Sequence, residues 1–198
     1  MESTETAIPV TRLGLAYKAE TTGFPDWKGR SNLPHQPHIV RLVAKLINLE
    51  TREIVASMDE IVKPDGWTIP DVVIKVHGIT NQHANENGIS EKDALEQFLN
   101  LWYEAEVAIA HGKAFQSRII RIATSRYGKE ATQEAWKNGA SYCTSTNAKK
   151  MGSDSARIDD AYVSLIGKVL KNKQDTMTSV NACAEIFFKI HDLSETQP

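Results

Sequence analysis

An α/β domain with a mixed central sheet flanked by helices is the expected fold, on two patterns: three strand-like stretches first, then helical stretches alternating with short strands. Leu13, Leu15, Tyr17 and Ala19 alternate with other residues, as a strand with one buried face requires, and this first strand ends at Glu20. Residues 39–49 and 53–62 read as two further strands. They are joined across the turn region 48–52 and form a hairpin beside the first. Val107–Ala110 is a short apolar run, best accommodated as a buried parallel strand.

The remaining elements follow in order. Residues 1–10 are polar and aperiodic and read as a flexible lead-in. Residues 21–37 hold Gly23, Gly29, Pro25, Pro34 and Pro37 with few apolar residues, which predicts a long loop. Pro64-Asp65-Gly66 is a turn signal. Pro70 suits the first turn of a short helix through Val76, where its missing N–H would be unpaired anyway. Ser90-Glu91-Lys92-Asp93 resembles a capping box, followed at helical spacing by Ala94, Leu95, Phe98 and Leu101. Further helical patterns cover 115–126, 130–136, 144–151 and 156–166. A last helix carries Met177, Val180, Ala184, Phe187 and Ile190 on one face. The expected organisation is one domain over 11–192, with flexible segments at 1–10 and 193–198.

Over 198 residues, 23 Lys+Arg against 25 Asp+Glu leave a net charge of −2. That balance argues against a binder driven by bulk positive charge, as histone-like proteins are. With 41% hydrophobic and 24% charged residues the composition is that of a globular chain. No apolar run approaches the roughly 20 residues that span a bilayer, and residues 1–10 show no secretory pattern. Cys143 and Cys183 sit in apolar contexts without metal-ligand spacing and read as reduced packing residues. A soluble, cytoplasmic protein without a membrane partner is the expectation.

Four stretches carry more. They are Tyr17-Lys18-Ala19-Glu20-Thr21-Thr22-Gly23; Val76-His77-Gly78-Ile79-Thr80, preceded by Val62-Lys63-Pro64-Asp65-Gly66; Ala110-His111-Gly112-Lys113-Ala114-Phe115-Gln116; and 174–190. In order and spacing they resemble the DnaQ-like 3′-to-5′ exonucleases of the DEDDh branch, over roughly residues 12–190. The resemblance implies a ribonuclease-H-like exonuclease fold. It also implies a two-metal site, in which four carboxylates hold magnesium or manganese ions and a histidine serves as general base.

Carried over residue by residue, that pattern meets substitutions at four of its five positions. Lys18, Gln116 and Ser179 stand for three aspartates, Gln174 for the histidine, and only Glu20 is retained. Asp175 reads as a helix-start residue rather than a replacement ligand. A site expected to carry about −4 at neutral pH carries about zero, with an ammonium where a metal ligand belongs. Lys18 and Glu20 share a strand face, so Lys18 is expected to pair with Glu20; a shifted strand would instead point it to solvent.

No cofactor or bound metal is therefore expected, and no catalytic residue. The expected function is that of a pseudo-nuclease acting by binding. Two versions remain open: a protein-interaction or inhibitory module, and a binder of single-stranded nucleic-acid 3′ ends. The near-neutral charge leans towards the first. Thr21, Thr22, Gly23, Trp27 and His111 are the candidate nucleic-acid contacts. His111 and His77 also fit as satisfied core histidines, and Trp67, Trp102 and Trp136 as packing residues. Arg118, Arg121 and Arg126, like Lys168, Lys171 and Lys173, suit either phosphate contacts or, preferably, a solvated face. The alternative function is a live magnesium- or manganese-dependent exonuclease with rearranged ligands.

Overall fold

The computed structural model describes residues 12–195. The chain opens with three antiparallel strands, β1 (Leu13–Thr21), β2 (Ile39–Asn48) and β3 (Ile54–Ile61). After α1 (Asp71–His77), α2 (Asn81–Asn87) and α3 (Glu91–Glu104), β4 (Val107–Ala110) adds parallel to β1. α4 (Lys113–Tyr127) and α5 (Glu130–Asn138) lead to β5 (Ser141–Cys143), parallel to β4. α6 (Thr144–Lys150), α7 (Ile158–Ile166) and α8 (Thr176–Glu195) complete the order. The sheet runs β3-β2-β1-β4-β5 and is mixed, as expected.

Alternation along β1 divides the core. Leu15, Tyr17 and Ala19 face the layer containing Leu95, Phe98, Ile119, Ile122 and Trp136, where Tyr17, Phe98 and Trp136 meet edge to face at 5.3–5.7 Å. Ala16 turns to the other side, joining Val43, Ile47 and Ile109 under Val180, Cys183 and Phe187 of α8. Lys18 and Glu20 continue the Ala16 series, so both fall on the face that α8 crosses.

Two elements escape a periodicity reading. α2 is the polar run Asn-Gln-His-Ala-Asn-Glu-Asn with only Ala84 buried, and it starts where the Thr80 hydroxyl accepts the His83 N–H. β5 is three residues long and exists because β4 offers it a partner. Gly88 ends α2 in close quarters: a Cβ there would lie 2.4–2.8 Å from backbone atoms of Ala84, Lys63 and Val62.

The loop over 21–37 is an organised strap. Gln36, 1% exposed, receives the Asp26 N–H on its side-chain oxygen and donates to the carbonyls of Asp26 and Arg30. Arg118 on α4 donates to the carbonyls of Asp26 and Gly29, and Arg126 to those of Gln36 and Pro37. These two arginines are neither a solvated face nor phosphate contacts, because both are largely buried and turn their guanidinium groups to backbone carbonyls of the loop. Arg126 also reaches Glu91, a 4% exposed residue whose carboxylate accepts the Ile39 N–H and the Tyr127 hydroxyl and lies 2.6 Å from His38.

The expected lead-in at 1–10 lies outside the described residues, as do 196–198; Leu193, Ser194 and Glu195 close α8. No helix among the described residues is long and apolar enough to cross a membrane.

Candidate active-site cleft

β1 and its parallel neighbour β4 end at the same edge of the sheet, the edge at which α/β sheets gather ligands. Lys18 and Glu20 close β1, His111 follows β4, and the first turns of α8 lie across them. The Lys18 ammonium stands 2.9 Å from Glu20 Oε1 and donates to Ser179 Oγ at 3.2 Å. The same Glu20 oxygen accepts the Thr176 hydroxyl at 3.1 Å, and Ser179 donates onward to the Lys173 carbonyl. Side-chain exposures of 28% for Lys18 and 13% for Glu20 place the pair at the floor of the cleft rather than in solvent.

Gln116 takes another role. Its side-chain carbonyl accepts the Ala19 N–H at 2.8 Å. β4 pairs with β1 only as far as Ala16, so that N–H would otherwise be orphaned in a buried place. Gln174 lines the cleft beside Lys18. Asp175 starts α8: its carboxylate accepts the N–H and hydroxyl of Thr178, while Arg41 bridges it to Asp59 of β3. Burial pushes the Asp175 carboxyl up, but the Thr178 donors and Arg41 outweigh it and hold it below the usual carboxylate value.

His111 Nε2 lies 2.8 Å from the Ala156 carbonyl, which can only accept; the ring proton therefore sits on Nε2. Nδ1, 2.9 Å from the Thr144 hydroxyl, is the acceptor. Burial holds this imidazole below its ordinary pKa despite the carbonyl's opposite pull. His77 is likewise lowered by burial. Its Nδ1 accepts the Ile79 N–H, and Nε2 is buried without a partner among the described residues.

A cavity of about 420 Å³ lies over these groups, and its walls add residues that no motif marked. Lys18, Lys75, Arg157 and Lys173 bring four cationic side chains against the carboxylates of Glu20 and Asp159. Asp159 holds both Arg157, at 3.1 Å, and Lys173, and these donors press its carboxyl well below the usual range. A second cavity of about 220 Å³ opens beside Glu20, lined by Thr21, Gly23, Phe24, Val76, His77 and Phe115. Phe24 is 86% exposed and meets Phe115 edge to face at 5.8 Å. An apolar Phe24 after Gly23, in a stretch with few apolar residues, is a sequence signal that could have pointed to this pocket.

The other candidate contacts are more scattered. Thr21 donates its hydroxyl to the Gly23 carbonyl and Thr22 Oγ1 accepts the His38 N–H, so both side chains shape the strap. Trp27 is 56% exposed on that strap.

Metal-binding chemistry fits these residues poorly. Among the described residues no three His, Cys, Asp or Glu side chains converge. Glu20 is already partnered by an ammonium, and a divalent ion 4 Å from that ammonium would be repelled by about 8 kcal/mol at an effective dielectric near 20. The donor set does not fit a two-metal centre.

Sheet order, site placement and the closing α8 together define a ribonuclease-H-like exonuclease fold. The chain belongs to the exonuclease family RNase_T, which it matches over residues 18–183. Among solved structures, the zinc-bound complex of E. coli exonuclease I with single-stranded DNA superposes with a TM-score of 0.76 at 14% identity, covering 94% of this chain and 42% of that one. The complex of exonuclease I with SSB-Ct gives 0.73 at 14% identity, covering 92% and 41%. A full-length 3′-exonuclease gives 0.68 at 14% identity, covering 93% and 62%. At such identities the likeness is one of fold, and the chain spans about two fifths of exonuclease I's length. No curated protein sequence matches the chain.

Proposed function

We propose that this protein is an exonuclease-fold binder that holds single-stranded nucleic-acid ends without cutting them. The observation that carries the reading is the Lys18 ammonium fixed between Glu20 and Ser179. It removes the charge that two-metal hydrolysis needs and leaves a cation in its place. A neutral His111 fastened at both nitrogens offers no free base, and Gln174 offers none at the position where the family has histidine.

Binding is supported by the walls. Four cations facing two carboxylates favour an anionic ligand such as a phosphodiester. The neighbouring apolar pocket provides Phe24 and Phe115 for a base, with His77 in its wall. Thr21, Thr22, Gly23 and Trp27 would then act as the strap bordering the bound end. This local charge favours the nucleic-acid version over the protein-interaction version to which overall neutrality points.

The protein-interaction version keeps one observation of its own. A groove of about 570 Å³ between β2, β3 and α8 is lined by the exposed Ile54 and the half-buried Phe188, with Lys45, Arg52 and Lys189 beside Glu185 and Asp192. A fold relative, exonuclease I, forms a complex with SSB-Ct.

The deciding experiment incubates the protein with 3′-labelled single-stranded DNA and RNA in magnesium or manganese, alongside fluorescence anisotropy on the same oligonucleotides. Retention of full-length label with saturable, salt-sensitive binding is expected. Shortening of the label that disappears in Glu20→Ala overturns the non-cleaving reading; absence of binding to either polymer transfers the function to the groove.

A further inference from the structure

We propose that Lys18 is a built-in substitute for the metal in ligand binding: its ammonium grips a phosphate of the bound end, so the protein binds nucleic acid without any divalent cation. This inference rests on the end-binding reading above. An ammonium has three N–H donors and no acceptor. Glu20 Oε1 and Ser179 Oγ take two of them. The third has no protein partner among the described residues, and Lys18 lines the cleft where it could meet a ligand.

The surroundings hold this donor in place. Thr176 fixes the Glu20 carboxylate from α8, and the Lys173 carbonyl fixes the Ser179 hydroxyl, so the ammonium is oriented from both sides before any ligand arrives. A pre-oriented donor loses little side-chain freedom on binding. The remaining cations divide into two kinds. Arg157 and Lys173 share the Asp159 carboxylate, and Arg157 also lies 3.8 Å from Asp160. Lys75, which is exposed, forms no ion pair among the described residues and adds an uncompensated charge at the rim. The ligand class is therefore a phosphodiester carrying single negative charges, met by one fixed ammonium and one exposed, unpaired one. Added magnesium would screen that attraction instead of supplying it.

The test is anisotropy with a labelled single-stranded oligonucleotide in EDTA and in magnesium, across a salt series. Affinity in EDTA should equal or exceed that in magnesium. Lys18→Met should weaken binding about tenfold and flatten the slope of log affinity against log salt by about 0.7, the loss of one phosphate contact. Lys18→Arg should restore most of both. Lys75→Met, at an exposed position, should also flatten the slope and lower affinity at low salt, while leaving the equality of binding in EDTA and in magnesium unchanged. Binding that needs magnesium, or a salt slope unchanged in Lys18→Met, overturns the inference while leaving the end-binding reading intact. Absence of wild-type binding in every condition removes both. Should Lys18→Met fail to fold, the EDTA comparison on the wild type decides alone.

Discussion

The Lys18 ammonium and the Glu20 carboxylate, two residues apart on β1, meet at 2.9 Å on the face of the sheet that α8 crosses. Strand alternation places the side chains together, and α8 turns the pair into a network by adding Thr176 and Ser179. The arrangement resolves the charge problem of a largely buried carboxylate without needing an ion. It also makes the two residues energetically dependent on one another.

That dependence is measurable. Lys18→Met should destabilise the fold by about 1–2 kcal/mol, between the values of exposed and fully buried pairs. Glu20→Gln alone should cost a similar amount, and the double variant less than the sum. A coupling of about 1 kcal/mol in urea-denaturation cycles is expected; strictly additive losses would show that the contact contributes nothing to stability.

Restoring the family's donors should restore its metal chemistry. Lys18→Asp, Ser179→Asp, Gln174→His and Gln116→Asp together replace a cationic or neutral set with carboxylates and an imidazole. Calorimetry should then register magnesium or manganese binding, against little or no heat expected with the wild type. The Gln116 change carries a structural cost, because its carbonyl holds the Ala19 N–H at 2.8 Å and a shorter side chain must reach it. The triple variant keeping Gln116 should therefore be the more stable of the two.

Arg126 should matter more to the fold than its place on a helix surface suggests. It ties the strap carbonyls of Gln36 and Pro37 to the buried Glu91 carboxylate. Arg126→Ala leaves Glu91 with less compensation, at about 3 kcal/mol, with raised proteolysis within residues 24–36 as the local readout. A loss below 0.5 kcal/mol would mean that Tyr127, His38 and the Ile39 N–H suffice to hold the carboxylate.

Legibility in the sequence followed the range of the forces involved. Alternation in β1 and the apolar face of α8 stated their own burial, and the Ser90 cap stated the start of α3, where it accepts the Asp93 N–H. The pairing of Lys18 with Glu20 was also readable, because a period of two fixes it locally. The arginine contacts were not: a guanidinium at helical spacing looks the same whether it meets water or a carbonyl about 90 residues away. The cationic wall of the cleft, with Lys75 from α1 and Arg157 beside α7, likewise exists only once the chain is folded. Cys143 departs from the packing role expected of it, since its sulfur takes hydrogen bonds from residues of α6.

Stability should fall on mild acidification, and His111 should be one source. Burial keeps its folded pKa below the ordinary 6.5, so the unfolded chain takes up a proton first as the pH drops. The stability of the neutral form is fully present above about 6.5 and is lost progressively below it. His77 pulls in the same direction for the same reason. Thermal melts from about pH 7.5 to 5.5 should show a declining Tm, with a shallower decline in His111→Gln; an unchanged slope would assign the acid sensitivity elsewhere.

The two cysteines should separate cleanly by reactivity. Cys183 is 2% exposed, and burial pushes its thiol up to about 12. At Cys143 partial burial also works upward, but the hydroxyls of Ser145 and Thr146 and the N–H groups of Thr146 and Lys113 bring the thiol down to about 7. The thiolate is the nucleophile, so iodoacetamide at neutral pH should label Cys143 alone in the native protein, with a rate that rises through a midpoint near 7. Thr146→Val removes one of these donors and should move the midpoint upward. Cys183 should react only when urea unfolds the chain. Equal labelling of both thiols under native conditions would mean that α8 does not seal Cys183 against β1.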